Sequence, residues 1–226
     1  MAAEETKGRP SRESARRARE LEIVQATRSL FDLRGVQDAP IEDIARAVGI
    51  NKALIYRHFS SKEELFVMTV TLYLDELALR LGNVPGDAGP RRELEQLGER
   101  FAEFCLEYPA FMDCAQSLMR RPFADLGENV SPAVLLRLGQ AMAGCLAPFS
   151  RILAAGAEQG VFHVDDPDYV ANHIYAQALG AMHLARVGAG VRELAPGIPE
   201  VFPIDPQRVA RVAIDIALAY VQRPAG

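Results

Sequence analysis

The chain has no tryptophan, three cysteines and four histidines in 226 residues. Cys105, Cys114 and Cys145 all lie in apolar stretches. An odd count at these spacings is neither a disulfide framework nor a zinc pattern. They read as buried, reduced core residues; a redox-sensing thiol would need an exposed site that lowers its pKa. Two of the histidines, His173 and His183, share one expected helix but lie about 80° off a common face, so no metal site is expected. G-x-G-x-x-G, P-loop, H-E-x-x-H and G-x-S-x-G are all missing, and with them the signatures of dinucleotide, nucleotide, zinc-protease and serine-hydrolase chemistry. No catalytic residue and no cofactor is expected. Arginines such as Arg137 and Arg151 interrupt the apolar runs, so no membrane-crossing helix is expected. The first ten residues, MAAEETKGRP, are polar and carry no signal peptide; the expected location is the cytoplasm. No stretch alternates like a strand, and no internal repeat or low-complexity tract occurs.

What is present is a chain that is 49% hydrophobic with a net charge of −5. The charge is unevenly spread. Residues 1–62 hold 12 Lys and Arg against 9 Asp and Glu, and residues 63–226 hold 13 against 21. A basic head of +3 on an acidic body of −8 suits a nucleic-acid-binding head whose body avoids the duplex. Residues 1–10 read as a disordered arm, and Lys7, Arg9, Arg12, Arg16, Arg17 and Arg19 lead from it into the first helix. Such an arm could follow the minor groove or the phosphates; a solvated tail is the alternative.

The chain is organised around residues 41–66. Ile41, Ile44, Ala45 and Val48 fall at helical spacing and mark a buried face. Gly49 is placed to end that helix in the left-handed conformation a tight interhelical turn needs. Asn51 can cap the next helix, which Leu54, Ile55 and Phe59 hold to the first. The opposite face carries Asn51, Lys52, Ala53, Tyr56, Arg57 and His58, which offer donors and positive charge with little apolar bulk. This is the layout of a helix-turn-helix whose second helix enters the DNA major groove. Ser60 with Glu63, or Ser61 with Glu64, makes a capping box for a fourth helix.

IARAVGI followed by ALIYRHFSSKEELF resembles the N-terminal DNA-binding domain of the TetR family of bacterial transcriptional regulators. The likeness rests on Ile44, Ala45, Gly49, Tyr56, Phe59, Lys62 and Leu65, within about 45 residues from Ile23 to Leu65. Two positions depart from the family pattern: Ala39-Pro40 stands where Thr or Ser is usual, and Leu54 where Thr is. The resemblance implies an all-α fold of about nine helices and DNA contacts at Lys52, Tyr56, His58 and Lys62. The residues themselves leave Tyr56 open to a core role, Arg57 to a solvated one, and Asn51 to a cap. The full candidate interface is Pro40, Ile41, Asn51, Lys52, Ala53, Tyr56, Arg57, His58 and Lys62.

Past residue 62 the chain reads as a helical body. The expected division is a 1–10 arm, an 11–62 helix-turn-helix head and a 63–226 ligand-binding and dimerisation domain. Asn83 to Pro90 is a clear break. Helices are expected to Tyr108, from Pro109 to about Arg120, from Pro132 to Gln159, from Pro167 to near Gly188, and from Pro206 to near Gln222, with a loop over 121–131. Each polar-residue-then-proline start combines a cap with a first-turn proline. The Pro132 helix is odd: Gly139, Gly144 and Gly156 lie inside it, and Pro148 should kink it. Close packing explains this, or the kink opens a cavity. Phe101, Phe104, Tyr108, Met112, Met119, Met142 and Phe149 could line such a cavity, with His173 or Gln177 as polar handles; ordinary core is the alternative for each. The resemblance implies an effector pocket in this body.

The last helix is apolar on two sides, Val209, Val212, Ile216 and Tyr220 on one and Ile214, Leu218 and Val221 on the other. A helix apolar on two sides is buried on two sides, so the first stripe is a candidate dimer interface. The expected protein is a homodimeric regulator, most simply a repressor released from palindromic double-stranded operator DNA by a small, largely apolar effector. A regulator without a ligand, an activator, and more distantly an enzyme on a helical scaffold are the alternatives.

Overall fold

The computed structural model describes residues 11–36, 39–84, 86, 88–120 and 126–223. The whole of the expected 1–10 arm, with Lys7 and Arg9, falls outside the described residues, as do Asp38 and residues 121–125 of the expected 121–131 loop. One long helix and two short ones form the head: α1 (Arg12–Arg34), α2 (Ile41–Val48) and α3 (Lys52–His58). They enclose a core of Ile23, Val24, Ile41, Ile44, Ala45, Ile55 and Phe59, closed below by Leu65. Leu65 opens α4 (Lys62–Gly82), which continues into a second core through Val67, Val70, Tyr73, Leu74 and Leu77. One helix therefore belongs to both hydrophobic clusters.

The body adds α5 (Pro90–Glu107), α6 (Pro109–Met119), α7 (Pro132–Glu158), α8 (Pro167–Val187) and α9 (Pro206–Gln222). Each begins with proline, whose missing N–H has no intrahelical acceptor there in any case. Asp166 and Asp205 cap α8 and α9 by accepting from Tyr169 and Gln207 backbone N–H groups. These starts match the sequence expectation, and the described residues are all-α apart from one small sheet.

That sheet corrects the expectation of no strand. Within residues 189–204 the chain forms an antiparallel hairpin of β1 (Ala189–Ala195) and β2 (Ile198–Pro203). Pro196-Gly197 makes the turn, with Gly197 at φ +76°, the geometry a type II turn asks of its third residue. Closely spaced prolines hid the alternation: Val191 pairs with Val201 on one face, and Arg192 with Glu200 on the other.

α7 corrects a second expectation. Its 27 residues are long and apolar enough to cross a membrane by length and composition, despite Arg137 and Arg151. In the bundle it packs against α4, α5 and α8 through Leu138, Ala141, Cys145, Phe149, Ile152 and Leu153. It runs unbroken through Pro148. One of its glycines answers to close packing: the Phe162 ring lies where a Cβ on Gly156 would sit, whereas a Cβ on Gly144 would make only ordinary contact with Ala78 of α4. Nothing lies within 4 Å of a Cβ built at Gly139, and the structure does not explain that glycine. All three cysteines are free and buried, and burial pushes their thiols upward, Cys145 to about 12.

Candidate functional site

The turn between α2 and α3 is built as its residues dictate. Gly49 is left-handed at φ +71°, and its N–H returns to Ala45 and Arg46 carbonyls. The Asn51 side chain accepts from the Leu54 N–H at 2.8 Å and so acts as the cap. Ile55 and Phe59 are buried in the head core, which turns Lys52, Ala53, Tyr56 and Arg57 to the outside. The Tyr56 ring is 43% exposed, so the ring is not core. Lys62, at the start of α4, is exposed on the same part of the head, and Pro40 is exposed at the start of α2.

Three residues sit differently from the rest of the candidate set. The Ile41 side chain is buried in the head core, leaving only its backbone at the α2 start for an interface. Pro40 stands just outside α2 as its N-cap, with no side-chain cap bond, and not within the first turn. His58 turns back toward α1: its Nδ1 lies 3.4 Å from Glu20 Oε1 and its side chain is 13% exposed. Lys52 Nζ meets Glu42 Oε1 at 2.6 Å, which lowers the Glu42 pKa. In the basic lead into α1, Arg16, Arg17 and Arg19 pair along their own helix with Glu20, Glu13 and Glu22.

Two polar junctions join head to body. At the first, the buried Glu64 carboxylate accepts from Ser60 N–H and Oγ at 2.5 and 2.6 Å, and from Ser131 Oγ and N–H at 2.5 and 3.3 Å. Ser61 caps α4 through the Glu64 N–H and donates its hydroxyl to the Asn129 carbonyl. Ser131 is the residue before α7, so one side chain ties the end of α3 to the start of α7. At the second, Arg28 of α1 donates to Glu76 of α4 at 2.5 Å and lies over the rings of Tyr73 and Tyr108. Tyr73 donates to Asp32 at 2.6 Å, and Arg80 bridges Glu76 and Glu107. Sequence reasoning missed both junctions, whose links across elements join residues 27 to 80 positions apart.

The body holds two apolar cavities. One, of about 40 Å³, lies among α5, α8 and α9 and takes Phe101, Phe149 and Gln177 from the candidate effector set. The other, of about 150 Å³, lies among α4, α6, α7 and α8 and takes Met119 and Met142. Phe104, Met112 and Tyr108 line neither; Phe104 and Met112 are fully buried core, and the Tyr108 hydroxyl belongs to the Arg28–Glu76 junction. His173 is exposed and stacks on Tyr169. On α9, Ala210, Ala217, Leu218 and Val221 face the bundle, while Val212, Ile216 and Tyr220 are 48, 47 and 56% exposed. Val209 is half-buried against the core. Tyr169, Leu184 and Val187 of α8 are exposed as well.

Residues 23–68, which contain this turn and both flanking helices, match the model of bacterial regulatory proteins of the tetR family. Over that segment, about a fifth of its length, the chain is similar to the tetR family. Its relatives include a helix-turn-helix transcriptional regulator of Staphylococcus aureus, 25% identical over 96 residues that cover 42% of this chain and 52% of the relative. Another is a helix-turn-helix transcriptional repressor of Mycobacterium tuberculosis, 28% identical over 130 residues, covering 51% of this chain and 67% of that protein. The chain thus spans about half the length of the staphylococcal relative. The tetR-family regulator PfmR of Thermus thermophilus superposes with a TM-score of 0.59 at 25% identity, covering 89% of this chain and 99% of PfmR. The regulator RolR, solved with resorcinol bound, superposes at 0.62 and 17% identity, covering 95% of this chain and 98% of RolR, a likeness of fold. The staphylococcal and mycobacterial relatives and PfmR are transcriptional regulators.

Proposed function

We propose that the chain is a DNA-binding transcriptional regulator that holds an inverted-repeat operator as a homodimer and is released from it by a small apolar effector. The observation that carries the DNA-binding reading is the outward face of α3. Lys52, Ala53, Tyr56 and Arg57 stand free of the head core on a capped helix, beside the exposed Lys62. Lys52 and Lys62 supply point charges for phosphates, Tyr56 a hydroxyl, and Arg57 a fork that matches guanine O6 and N7. Asn51 works here as the cap that sets the helix in place, and the Pro40–Ile41 backbone and His58 form the flank. The division into an 11–62 head and a 63–226 body is part of the same proposal, with α4 as the shared element.

Dimerisation through Val212, Ile216 and Tyr220 is supported by their exposure on a helix whose other side, through Ala210, Ala217, Leu218 and Val221, is buried in the bundle. A protein with two-fold symmetry selects a two-fold site, with its two recognition helices one DNA turn apart, about 34–36 Å. Effector release is supported by an apolar cavity that touches Val70 and Leu74 of α4, the helix that also carries Leu65 of the head. PfmR and RolR share this fold, and the latter holds resorcinol.

The test is selection of bound sequences from random DNA, followed by salt titration. Selected sites should be inverted repeats. Lys52→Ala should weaken binding to all sequences and reduce the salt slope by about one unit. An affinity that ignores salt between low and physiological concentration would overturn the reading.

A further inference from the structure

Tyr175 lines both body cavities. In the larger one it is the only side chain with an oxygen or nitrogen. Its companions there, among them Val70, Leu74, Phe111, Leu138 and Met142, are apolar. No described residue hydrogen-bonds the Tyr175 hydroxyl, and burial raises its pKa well above the ordinary value, so the phenol stays neutral. The ring is held edge-on against Phe101, with centroids 5.8 Å apart. No Lys, Arg or His lines either cavity.

Covering that hydroxyl with hydrocarbon alone would strip it of the hydrogen bonds it makes in water, and a ligand that meets it with a polar group of its own replaces one. A charged ligand would instead lose its hydration with no counter-ion in reach. The cavity is large enough for a benzene-sized molecule. We propose that Tyr175 selects an uncharged, hydrocarbon-rich effector of about one ring that carries a single hydroxyl or carbonyl, bound among α4, α6, α7 and α8. This rests on the effector reading above and narrows it to a chemical class. Tyr175 makes the hydrogen bond, and the hydrocarbon contacts Val70 and Leu74 of α4.

The test uses three probes of one size: toluene, p-cresol and p-toluate. Calorimetry is run on the full chain and on Tyr175→Phe, with operator affinity measured on the same samples. Wild type should bind p-cresol, and p-toluate about a hundredfold more weakly or not at all. Tyr175→Phe should retain toluene, which reports an intact cavity, and should lower the p-cresol-to-toluene affinity ratio about tenfold. The ratio cancels the cost of desolvating the probes. Binding of p-toluate as tightly as p-cresol, an unchanged ratio in Tyr175→Phe, or binding of none of the three would overturn the proposal. Operator binding retained in any of these cases leaves the regulator reading standing.

Discussion

Removing the Glu64 charge tests the head–body junction most directly. The carboxylate is 6% exposed and accepts from two backbone N–H groups and two hydroxyls, one of each from Ser60 and from Ser131. Burial alone would raise its pKa, but the Ser131 and Ser60 hydrogen bonds outweigh burial and hold it below the ordinary value. Glutamine has nearly the same shape but only one acceptor oxygen. Its NH₂ must face either Ser60 or Ser131. The hydroxyl on that side can turn to accept, but the backbone N–H cannot. One buried N–H left without a partner, plus the lost charge assistance, should cost about 2–3 kcal/mol. For a chain of this size that lowers Tm by about 5–10 °C. A group whose folded pKa is depressed stabilises above its unfolded pKa, about 4.3, and loses that contribution as pH falls through the folded value. The gap between wild type and Glu64→Gln, followed by circular dichroism melts, should therefore be full at pH 7 and close toward pH 3. A double-mutant cycle with Ser131→Ala should give a coupling of about 1–2 kcal/mol. A Tm loss under about 2 °C, or a gap that does not shrink in acid, would refute the reasoning.

Other consequences are equally open to measurement. Glu42→Gln frees Lys52 and removes a negative charge from the DNA-facing side, so it should tighten operator binding several-fold at low salt in fluorescence anisotropy, and the gain should fade as salt rises. Arg57→Ala, if the guanidinium reads a base, should cost about 1–3 kcal/mol at one operator position and leave others unchanged. Val212→Glu and Ile216→Glu place a charge on the exposed stripe of α9, where a dry interface would not tolerate it; sedimentation should show folded monomers, and tight dimers for both would place the interface elsewhere. Gly49→Ala forces a Cβ into the left-handed region and should lower stability by about 1–2 kcal/mol in chemical denaturation.

What the sequence made legible was local. Gly49, the Asn51 and Ser61 caps, and the proline starts of α5 to α9 are decided within four residues of themselves, and each appears where spacing puts it. The outward face of α3 follows from those same local choices. What it concealed depends on partners far along the chain. His58 turns to Glu20 across 38 positions, and Glu64 reaches Ser131 across 67. His173 and Gln177 stood out as polar residues on α8, yet His173 lines neither cavity and Gln177, itself exposed, only edges the smaller one. Tyr175, between them, lies about 200° round the helix from each neighbouring turn's view of solvent, in the inward stripe of Ala171, Ala178 and Met182. That stripe was readable at helical spacing, but a tyrosine in it looks like any core aromatic until the surrounding space is known.

The hairpin after α8 carries a further consequence. Two strands have two open edges, and an open edge is a template for another chain. The Ile204 N–H meets the Gly188 carbonyl at 2.9 Å, so the even-numbered residues of β2 direct their N–H groups toward β1 and the odd-numbered ones direct theirs away. The odd ones are Pro199, Val201 and Pro203. Two of the three have no N–H to offer, and the outer edge of β2 is left with a single donor at Val201. Strand-by-strand stacking of copies is thereby blocked along β2, although Val191 and Val201 keep an apolar face open to side-chain contact. Replacing both prolines with β-branched residues would restore a continuous donor row along β2, and with it a route to concentration-dependent aggregation that this edge now lacks.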